Sequence, residues 1–300
     1  MTTVPSFGAR LSSVIGKHGR LCVGIDPHSH LLAGWGLPDT AAGARDFSLR
    51  VIDACVDQVA AIKPQIAFYE RFGSAGYVVL EEIIAAARQR GLLVIADVKR
   101  GDIGTSVQAY ADAWLRPGST LESDAMTISA FQGFGSLVEP LNYTTTAGKG
   151  LFLLAATSNP EARDIQQARL NGGYNPSVAA SIVAEVQQWN SDHRRDALVG
   201  VDRNGPSVGV VGSVGVVLGA TLNLEHYDIN VNLNRNPLMP VLAPGFGAQG
   251  AKLTDANRIF GSMTAATLVS ESRSVLNAGP MGIVQAVRER ADEVRREVTA

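Results

Sequence analysis

Three absences narrow what this 300-residue sequence encodes. It contains only two cysteines, Cys22 and Cys55, both in apolar surroundings, which excludes a disulfide framework and predicts buried packing residues in a reducing compartment. The formal net charge is −2, so we expect no basic surface for nucleic acid or for an acidic membrane. No segment has the apolar run of a signal peptide or of a membrane span, and we therefore expect a cytoplasmic protein without a membrane partner.

The residues that are present predict a compact protein with a sizeable core, since 46% are hydrophobic and 18% are charged. Eight short apolar segments alternate with amphipathic stretches of helical periodicity. This alternation predicts a parallel sheet, and eight units favour an α/β fold of the (β/α)8 TIM-barrel type, as a single domain over residues 1–300. The predicted strands are residues 21–26, 61–67, 92–99, 124–130, 150–157, 213–221, 239–244 and 266–270. The clearest predicted helices are residues 45–59, 75–90, 106–114, 176–189 and 281–298.

Ionisable residues collect at the ends of the first three predicted strands. The first strand ends at Asp26 and the second contains Lys63. The third supplies Asp97 and Lys99, and Asp102 follows in a glycine-flanked turn. Because strand ends of this kind share one mouth of a barrel, where active sites are built, we expect these side chains to lie close together.

The two-residue spacing of Asp97 and Lys99 predicts that both point into the barrel, on the same face as Leu93 and Ile95. An ordinary buried ion pair is the alternative interpretation. Burial of a charge costs several kcal/mol unless it is paired, so a set of charges drawn from distant parts of the sequence favours a functional site.

A candidate phosphate site follows the last two strands. The glycine-rich segment APGFGAQGA, residues 243–251, follows the seventh strand, and VSESRSV, residues 269–275, follows the eighth. Loops in these positions commonly bind phosphate in barrels, because glycine amides approach an anion closely and an arginine such as Arg273 adds a bidentate contact. The long polar segment 158–175 is typical of a lid or binding loop.

Together these motifs resemble those of the orotidine 5'-monophosphate decarboxylases, specifically the bacterial subgroup with longer chains. ADVKRGDIGTS carries the D-x-K-x-x-D-I signature, and LCVGIDPH, VAAIKPQIAFYERFG, LAATSNPEARDIQ and LAPGFGAQG lie in the family's order between about residues 20 and 285. The D-x-K-x-x-D element alone indicates the wider superfamily, whereas the combination is specific. The resemblance implies conversion of orotidine 5'-monophosphate to UMP and CO2 in pyrimidine biosynthesis, by a homodimer that uses neither cofactor nor metal.

The resemblance implies four catalytic residues. Lys99 would deliver a proton to C6 of the pyrimidine, and Asp97 would lie beside the substrate carboxylate. Lys63 would hold a ribose hydroxyl and link the alternating charges. Asp102 would reach across a dimer interface into the partner subunit's site.

It also implies a set of substrate-binding residues. Asp26 would hold the ribose, and Ile103 would act in trans beside Asp102 to line the pyrimidine pocket. Ser106 falls where the family places a hydroxyl. The pyrimidine edge is assigned to Ser158, and the phosphate to Gly247, Gln249, Gly250 and Arg273. The chain departs from the family pattern at Ala130-Phe131 and in residues 200–215, which leaves those loops undefined.

Two rival functions remain open. A metal-dependent sugar-phosphate decarboxylase or aldolase of the same superfamily shares D-x-K-x-x-D but carries an acidic metal ligand where this chain has Lys63, whose charge repels Mg²⁺. A non-catalytic nucleotide-phosphate-binding barrel is the other rival, and it would gain nothing from Lys99 placed against Asp97.

Two neighbouring pairs receive simpler interpretations. His28 and His30 are predicted in a solvated loop rather than at a metal, because no third ligand lies at a suitable spacing. Glu70 and Arg71 are predicted to form a surface or supporting ion pair.

Overall fold

The chain folds around a barrel of parallel strands, and the computed structural model describes residues 4–171, 175–202, 205–233 and 235–299. The strands are β1 Leu21–Ile25, β2 Ala61–Pro64, β3 Ile95–Arg100, β4 Ala125–Ile128, β5 Gly150–Ala156, β6 Val214–Leu218, β7 Val241–Pro244 and β8 Thr267–Glu271. They form one sheet in the order β2-β1-β8-β7-β6-β5-β4-β3. Parallel bridges from Ile62 to Val94 and from Gln65 to Asp97 join its two edges and close the barrel.

Helices and single turns connect the strands on the outside. The α-helices are α1 Phe7–His18, α2 Ser29–Gly34, α3 Ala41–Cys55, α4 Ala67–Glu70, α5 Ser74–Gln89, α6 Gly104–Leu115, α7 Val138–Thr146, α8 Arg163–Gln166, α9 Val178–Asp192, α10 Arg194–Ala197, α11 Ala256–Phe260, α12 Arg273–Leu276 and α13 Gly279–Glu297. Short 3-10 turns span Phe134–Leu137, Pro160–Ala162, Leu224–Tyr227, Gly247–Gln249, Leu253–Asp255 and Gly261–Ala266. No helix within the described ranges is long and apolar enough to cross a membrane.

The predicted (β/α)8 barrel is confirmed, with all eight strands and all five of the clearest helices present. Helix α1 was not among the predicted helices, although its apolar residues recur at helical spacing and Ser6 caps its first turn by accepting from the Ala9 amide. After β6 the asparagine-rich segment forms the short 3-10 turn Leu224–Tyr227, because asparagine favours turn geometry. After β7 the chain forms short 3-10 turns and the five-residue helix α11.

Apolar side chains pack in two layers, one inside the barrel and one between the strands and the helices. Leu93 and Ile95 belong to the inner cluster, whereas Val94, Ala96 and Val98 belong to the outer one. The alternation predicted for the third strand is therefore confirmed. It directs the next residues on the same face, Asp97 and Lys99, toward the barrel interior.

Helix α1 closes the N-terminal mouth of the barrel. Phe7 and Leu11 lie one turn apart on α1 and are fully buried in the inner cluster. The Phe7 ring meets Phe152 edge to face, with 6.0 Å between centroids. A side chain at Gly150 would block this approach, because a Cβ there would lie 2.4 Å from Phe7 Cδ1. The C-terminal mouth stays open.

We expect Phe7→Ala to lower the free energy of unfolding by about 3–5 kcal/mol, because loss of the ring leaves a cavity in the inner core. Denaturant unfolding followed by circular dichroism measures this change. The matched control is Phe131→Ala, since Phe131 is 79% exposed, and its effect should stay within about 0.5 kcal/mol. Equal effects of the two substitutions would contradict the packing described for α1.

Candidate active site

A cavity of about 700 Å³ opens at the C-terminal mouth of the barrel. Its walls come from strand ends and from the loops that follow them. Seven of the predicted site residues line it: Asp26, Lys63, Asp97, Lys99, Ser158, Gln249 and Arg273. Five others do not line it: Asp102, Ile103, Ser106, Gly247 and Gly250.

The Asp97 carboxylate in the cavity accepts hydrogen bonds from four different side chains. Its Oδ2 accepts from Lys63 Nζ at 2.7 Å and from Gln65 Nε2 at 3.0 Å. Its Oδ1 accepts from Lys99 Nζ at 2.5 Å and from Thr127 Oγ1 at 2.8 Å. Since the Asp97 side chain is only 6% exposed, these donors replace the water that burial removes.

The same contacts shift the pKa values of the buried pair. Burial alone would raise the pKa of the Asp97 carboxyl, but Lys63 and Lys99 outweigh it and hold that pKa well below its usual range. Burial alone would lower the pKa of Lys63, but Asp97 and then Asp26 raise it above its usual value. Asp97 and Lys63 are therefore both charged at neutral pH.

Lys99 reaches the cavity from an irregular backbone. Its φ is +48°, in the left-handed region, and the β3–β4 register shifts between Ala96 and Arg100. The Lys99 amide donates to Thr127 Oγ1 at 3.0 Å, which holds this conformation in place. Left-handed backbone at a lysine costs free energy, and such strain concentrates at functional sites. The Lys99 side chain is 45% exposed, against 10% for Lys63.

Gln65 and Thr127 are the site residues that sequence reasoning missed. Gln65 lies two positions after Lys63, so the alternation used for the third strand would have placed both on one face. Thr127 lies on β4, whose residues carry no charge that would have indicated a site, and the parallel pairing of β4 with β3 brings its hydroxyl to Asp97.

The end of β1 supplies an unpaired acceptor. Asp26 Oδ1 is buried and has no hydrogen-bond partner within the described residues, so it is available to a ligand hydroxyl. His28 and His30 do not both lie in the predicted solvated loop, because His30 is an exposed residue of α2 and His28 directly precedes that helix. The His28 ring packs on Phe68 with 4.0 Å between ring centroids, and both histidines line the cavity. Burial, together with His30, Arg273 and Arg71, lowers the pKa of His28 despite the opposing effect of Asp26.

The other end of the cavity carries the candidate phosphate groups. The Arg273 side chain makes no hydrogen bond and no ion pair within the described ranges, so its guanidinium is free to bind an anion. Gln249 lies in the glycine-rich turn after β7, and Gly245, Gly247 and Gly250 all have positive φ there. This turn needs glycine for its backbone shape, and Gly250 faces a neighbouring groove rather than the cavity.

Three predicted site residues in the segment after β3, namely Asp102, Ile103 and Ser106, do not line the cavity. Asp102 Oδ1 accepts from the Ile103 amide at 2.9 Å, and the Ile103 side chain is 61% exposed. Ser106 is exposed on the first turns of α6.

The predicted ion pair between Glu70 and Arg71 is wrong. Glu70 pairs with Arg100 instead, and Arg71 pairs with Asp39. Adjacent residues on a helical turn point in different directions, so each side chain finds a partner from another segment.

Comparisons with known proteins decide the family. Residues 19–289 match the model of the orotidine 5'-phosphate decarboxylase / HUMPS family. The chain belongs to this family. It is 47% identical over 270 residues to the orotidine 5'-phosphate decarboxylase of Nocardioides sp., covering 90% of this chain and 91% of that one. It is 45% identical to the enzyme of that name from Salinispora arenicola, covering 98% of each chain.

A solved structure of the same family confirms the fold of this family member. The crystal structure provisionally assigned as the orotidine 5'-phosphate decarboxylase of Streptomyces avermitilis superposes with a TM-score of 0.86 at 43% identity, covering 99% of this chain and 98% of that one. The segment matched by the family runs from just before β1 into α13, so all the predicted site residues lie inside it.

We expect the two lysines on Asp97 to differ in their effect on stability. Lys63→Met removes a buried donor and should lower the free energy of unfolding by about 1–3 kcal/mol. Lys99→Met removes a half-exposed one and should cost at most about 1 kcal/mol. Denaturant unfolding of both variants measures the difference, and equal costs would contradict the burial described here.

The Lys63→Met effect should also depend on pH. Because the folded pKa of Asp97 is depressed, its stabilisation is present above the unfolded pKa of about 4 and is lost as the pH falls through the folded value. The gap between wild type and Lys63→Met should therefore narrow below about pH 4. A gap that stays constant down to the acid transition would show that Lys63 does not act on the Asp97 charge.

Proposed function

We propose that this family member decarboxylates orotidine 5'-monophosphate to UMP and CO2, without a cofactor, in pyrimidine biosynthesis. The observation that carries the proposal is the Asp97 carboxylate held between Lys63 and Lys99 in a cavity that also contains the free Arg273 guanidinium. One end of the cavity thus has the charges for a reaction at a carboxylate, and the other has the cation for a phosphate.

Lys99 is the proton donor. When the bond between C6 and the carboxylate breaks, the electron pair stays on C6 as CO2 leaves, and no cofactor is required to absorb it if the protein stabilises the carbanion electrostatically. An ammonium about 4 Å from that charge contributes on the order of 4 kcal/mol at an effective dielectric near 20. Lys99 then gives its proton to C6.

Asp97 lies beside the substrate carboxylate. Repulsion between the two negative charges raises the free energy of the bound substrate relative to that of the uncharged CO2 product. Because Lys63 and Lys99 both donate to Asp97, these three side chains are fixed in position before substrate arrives. Asp26, with its unpaired buried oxygen, and Lys63 hold the ribose hydroxyls.

The remaining contacts bind the two ends of the nucleotide. Ser158 meets the pyrimidine edge, and Gln249 and Arg273 bind the phosphate together with amides of the turn that contains Gly247 and Gly250. The binding energy of this remote phosphate can order the loops around the reacting carbon.

Asp102 and Ile103 act in trans within a homodimer, and Ser106 lies on the same surface. Their position outside the cavity of their own protomer supports this arrangement, because an apolar side chain as exposed as Ile103 gains from burial in an interface. We also propose that the chain works as a single domain in the cytoplasm. Its two cysteines, free and buried, agree with a reducing compartment.

The metal-dependent rival is disfavoured by Lys63. Its ammonium lies 2.7 Å from Asp97 Oδ2, where a bound divalent cation would be repelled. Within the described ranges, no three His, Cys, Asp or Glu side chains group as they would around a metal ion.

The test is to incubate the purified protein with orotidine 5'-monophosphate in EDTA and to follow the ultraviolet change as orotate becomes uracil. Rapid loss of substrate is expected. Activity that appears only when Mg²⁺ is restored would favour the sugar-phosphate enzyme. A folded protein that shows no activity either in EDTA or with Mg²⁺ would favour the non-catalytic binding protein.

We expect Lys99→Ala to abolish turnover while leaving UMP binding within a few-fold of wild type, because Lys99 acts on C6 and not on the phosphate or ribose. Steady-state kinetics and calorimetric titration with UMP measure the two effects. Lys17→Ala, at an exposed lysine of α1, is the control. Retention of a tenth of the wild-type kcat by Lys99→Ala would rule out its function as the proton donor.

Whether Asp102 completes the active site of the partner subunit can be tested by co-expressing Lys99→Ala and Asp102→Ala subunits. Each parent should be inactive, but one site of every mixed dimer contains Lys99 from one chain and Asp102 from the other. Random assortment should restore about a quarter of the wild-type sites. No recovery in purified mixed dimers would contradict action in trans.

A further inference from the structure

A buried carboxylate that the proposed reaction does not use lies directly below the candidate phosphate site. Glu271 ends β8, two residues before Arg273. Its side chain is fully buried, yet it borders the cavity. Burial of a carboxylate costs several kcal/mol unless it is well paired, so its contacts need an explanation.

The Glu271 carboxylate joins two helices. Arg290 of α13 donates from Nε to Oε2 at 2.9 Å and to Oε1 at 3.0 Å, and from Nη2 to Oε1. Ser274 of α12 donates its hydroxyl to Oε2. Glu271 therefore fixes the first turn of α12, which carries Arg273, against the long C-terminal helix.

The glycine-rich turn rests on the same group. A Cβ built at Gly247 would lie 2.9 Å from Glu271 Oε2 and 3.2 Å from Ser274 Cβ, so this turn packs directly on the pair. The Arg273 side chain, by contrast, makes no hydrogen bond within the described ranges. The direction of its guanidinium consequently depends on the backbone that Glu271 and Ser274 hold.

The ion pair between Glu271 and Arg290 also removes a negative charge from beneath the candidate phosphate site. A carboxylate below a phosphate site would repel the substrate if it were unpaired, and the Arg290 guanidinium neutralises it through two nitrogen atoms. Arg290 does not border the cavity, so it has no direct access to a bound phosphate.

We propose that Glu271, anchored by Arg290, is a positioning residue for the phosphate site: it sets the orientation of Arg273 and of the glycine-rich turn for the substrate phosphate. This inference rests on the proposed function for the identity of the ligand. The buried ion pair between Glu271 and Arg290 thus positions the phosphate-binding groups as well as joining two helices.

Binding of UMP and uridine tests the proposal, because the two ligands differ in the phosphate alone and neither requires turnover. Affinities are measured by calorimetric titration for wild type, Glu271→Gln, Arg273→Ala and the double variant. Glu271→Gln keeps the shape of the side chain and removes its charge. We expect it to lower the affinity for UMP by about 10- to 100-fold, the range of one charged hydrogen bond, and the affinity for uridine by less than about twofold.

The double variant separates positioning from general support. If Glu271 acts through Arg273, Glu271→Gln should cause little further loss of UMP affinity once Arg273 is alanine. Fully additive losses, equal weakening of UMP and uridine, or an unchanged UMP affinity would each overturn the proposal.

Two further variants control for misfolding. Arg290→Lys keeps the positive charge but loses the contact through two nitrogen atoms. It should lower the affinity for UMP but not for uridine, and by a smaller factor than Glu271→Gln does. Glu293→Gln removes the other, exposed partner of Arg290 and should leave UMP binding unchanged. Loss of UMP affinity in Glu293→Gln as large as that in Glu271→Gln would also overturn the proposal.

The outcome is independent of the decarboxylase assay. A wild-type protein that binds UMP more tightly than uridine but does not decarboxylate orotidine 5'-monophosphate would refute the proposed function and leave this test intact. A wild-type protein with no preference for UMP over uridine would refute both.

Discussion

The buried Asp97 carboxylate, contacted by Lys63 on one oxygen and by Lys99 on the other, is the constraint on which the rest of the site depends. A charge in this position is tolerable only when it is fully paired. The two ammonium groups provide that pairing, and Gln65 and Thr127 complete it. The pairing keeps the carboxylate ionised, and an ionised carboxylate in turn keeps the lysines aimed into the cavity.

The barrel holds these charges together, and the arrangement requires a strained backbone at Lys99. Closure of the sheet between β2 and β3 brings Lys63 to Asp97, and the inner apolar cluster below them, closed by α1, excludes water from the N-terminal side. Strain at Lys99, whose φ is positive, is held by the Thr127 hydroxyl. Fixed charges of this kind need no rearrangement when a carbanion forms, which is how a protein stabilises one without a cofactor.

Sequence patterns predicted the architecture and most of the central charges, because strand alternation and barrel geometry are periodic properties that a sequence displays. They could not predict the bulge that turns Lys99, since it arises from contact with β4. They also missed Thr127 and Glu271, whose importance comes from neighbours distant in the chain. Barrel geometry also predicted Asp102 among the charges at the mouth, and family resemblance added Ile103 and Ser106, but none of the three lines the cavity.

The most direct test of this account is the titration of Asp97 itself, by NMR of protein labelled with ¹³C at the aspartate carboxyl carbons, with Asp97→Asn used to assign the resonance. We expect the Asp97 signal to keep the chemical shift of an ionised carboxylate from neutral pH down to about pH 3.5, below the usual aspartate midpoint near 4. A midpoint at about 4 or higher would contradict it, because the two lysines would then not hold the charge around which the site is built.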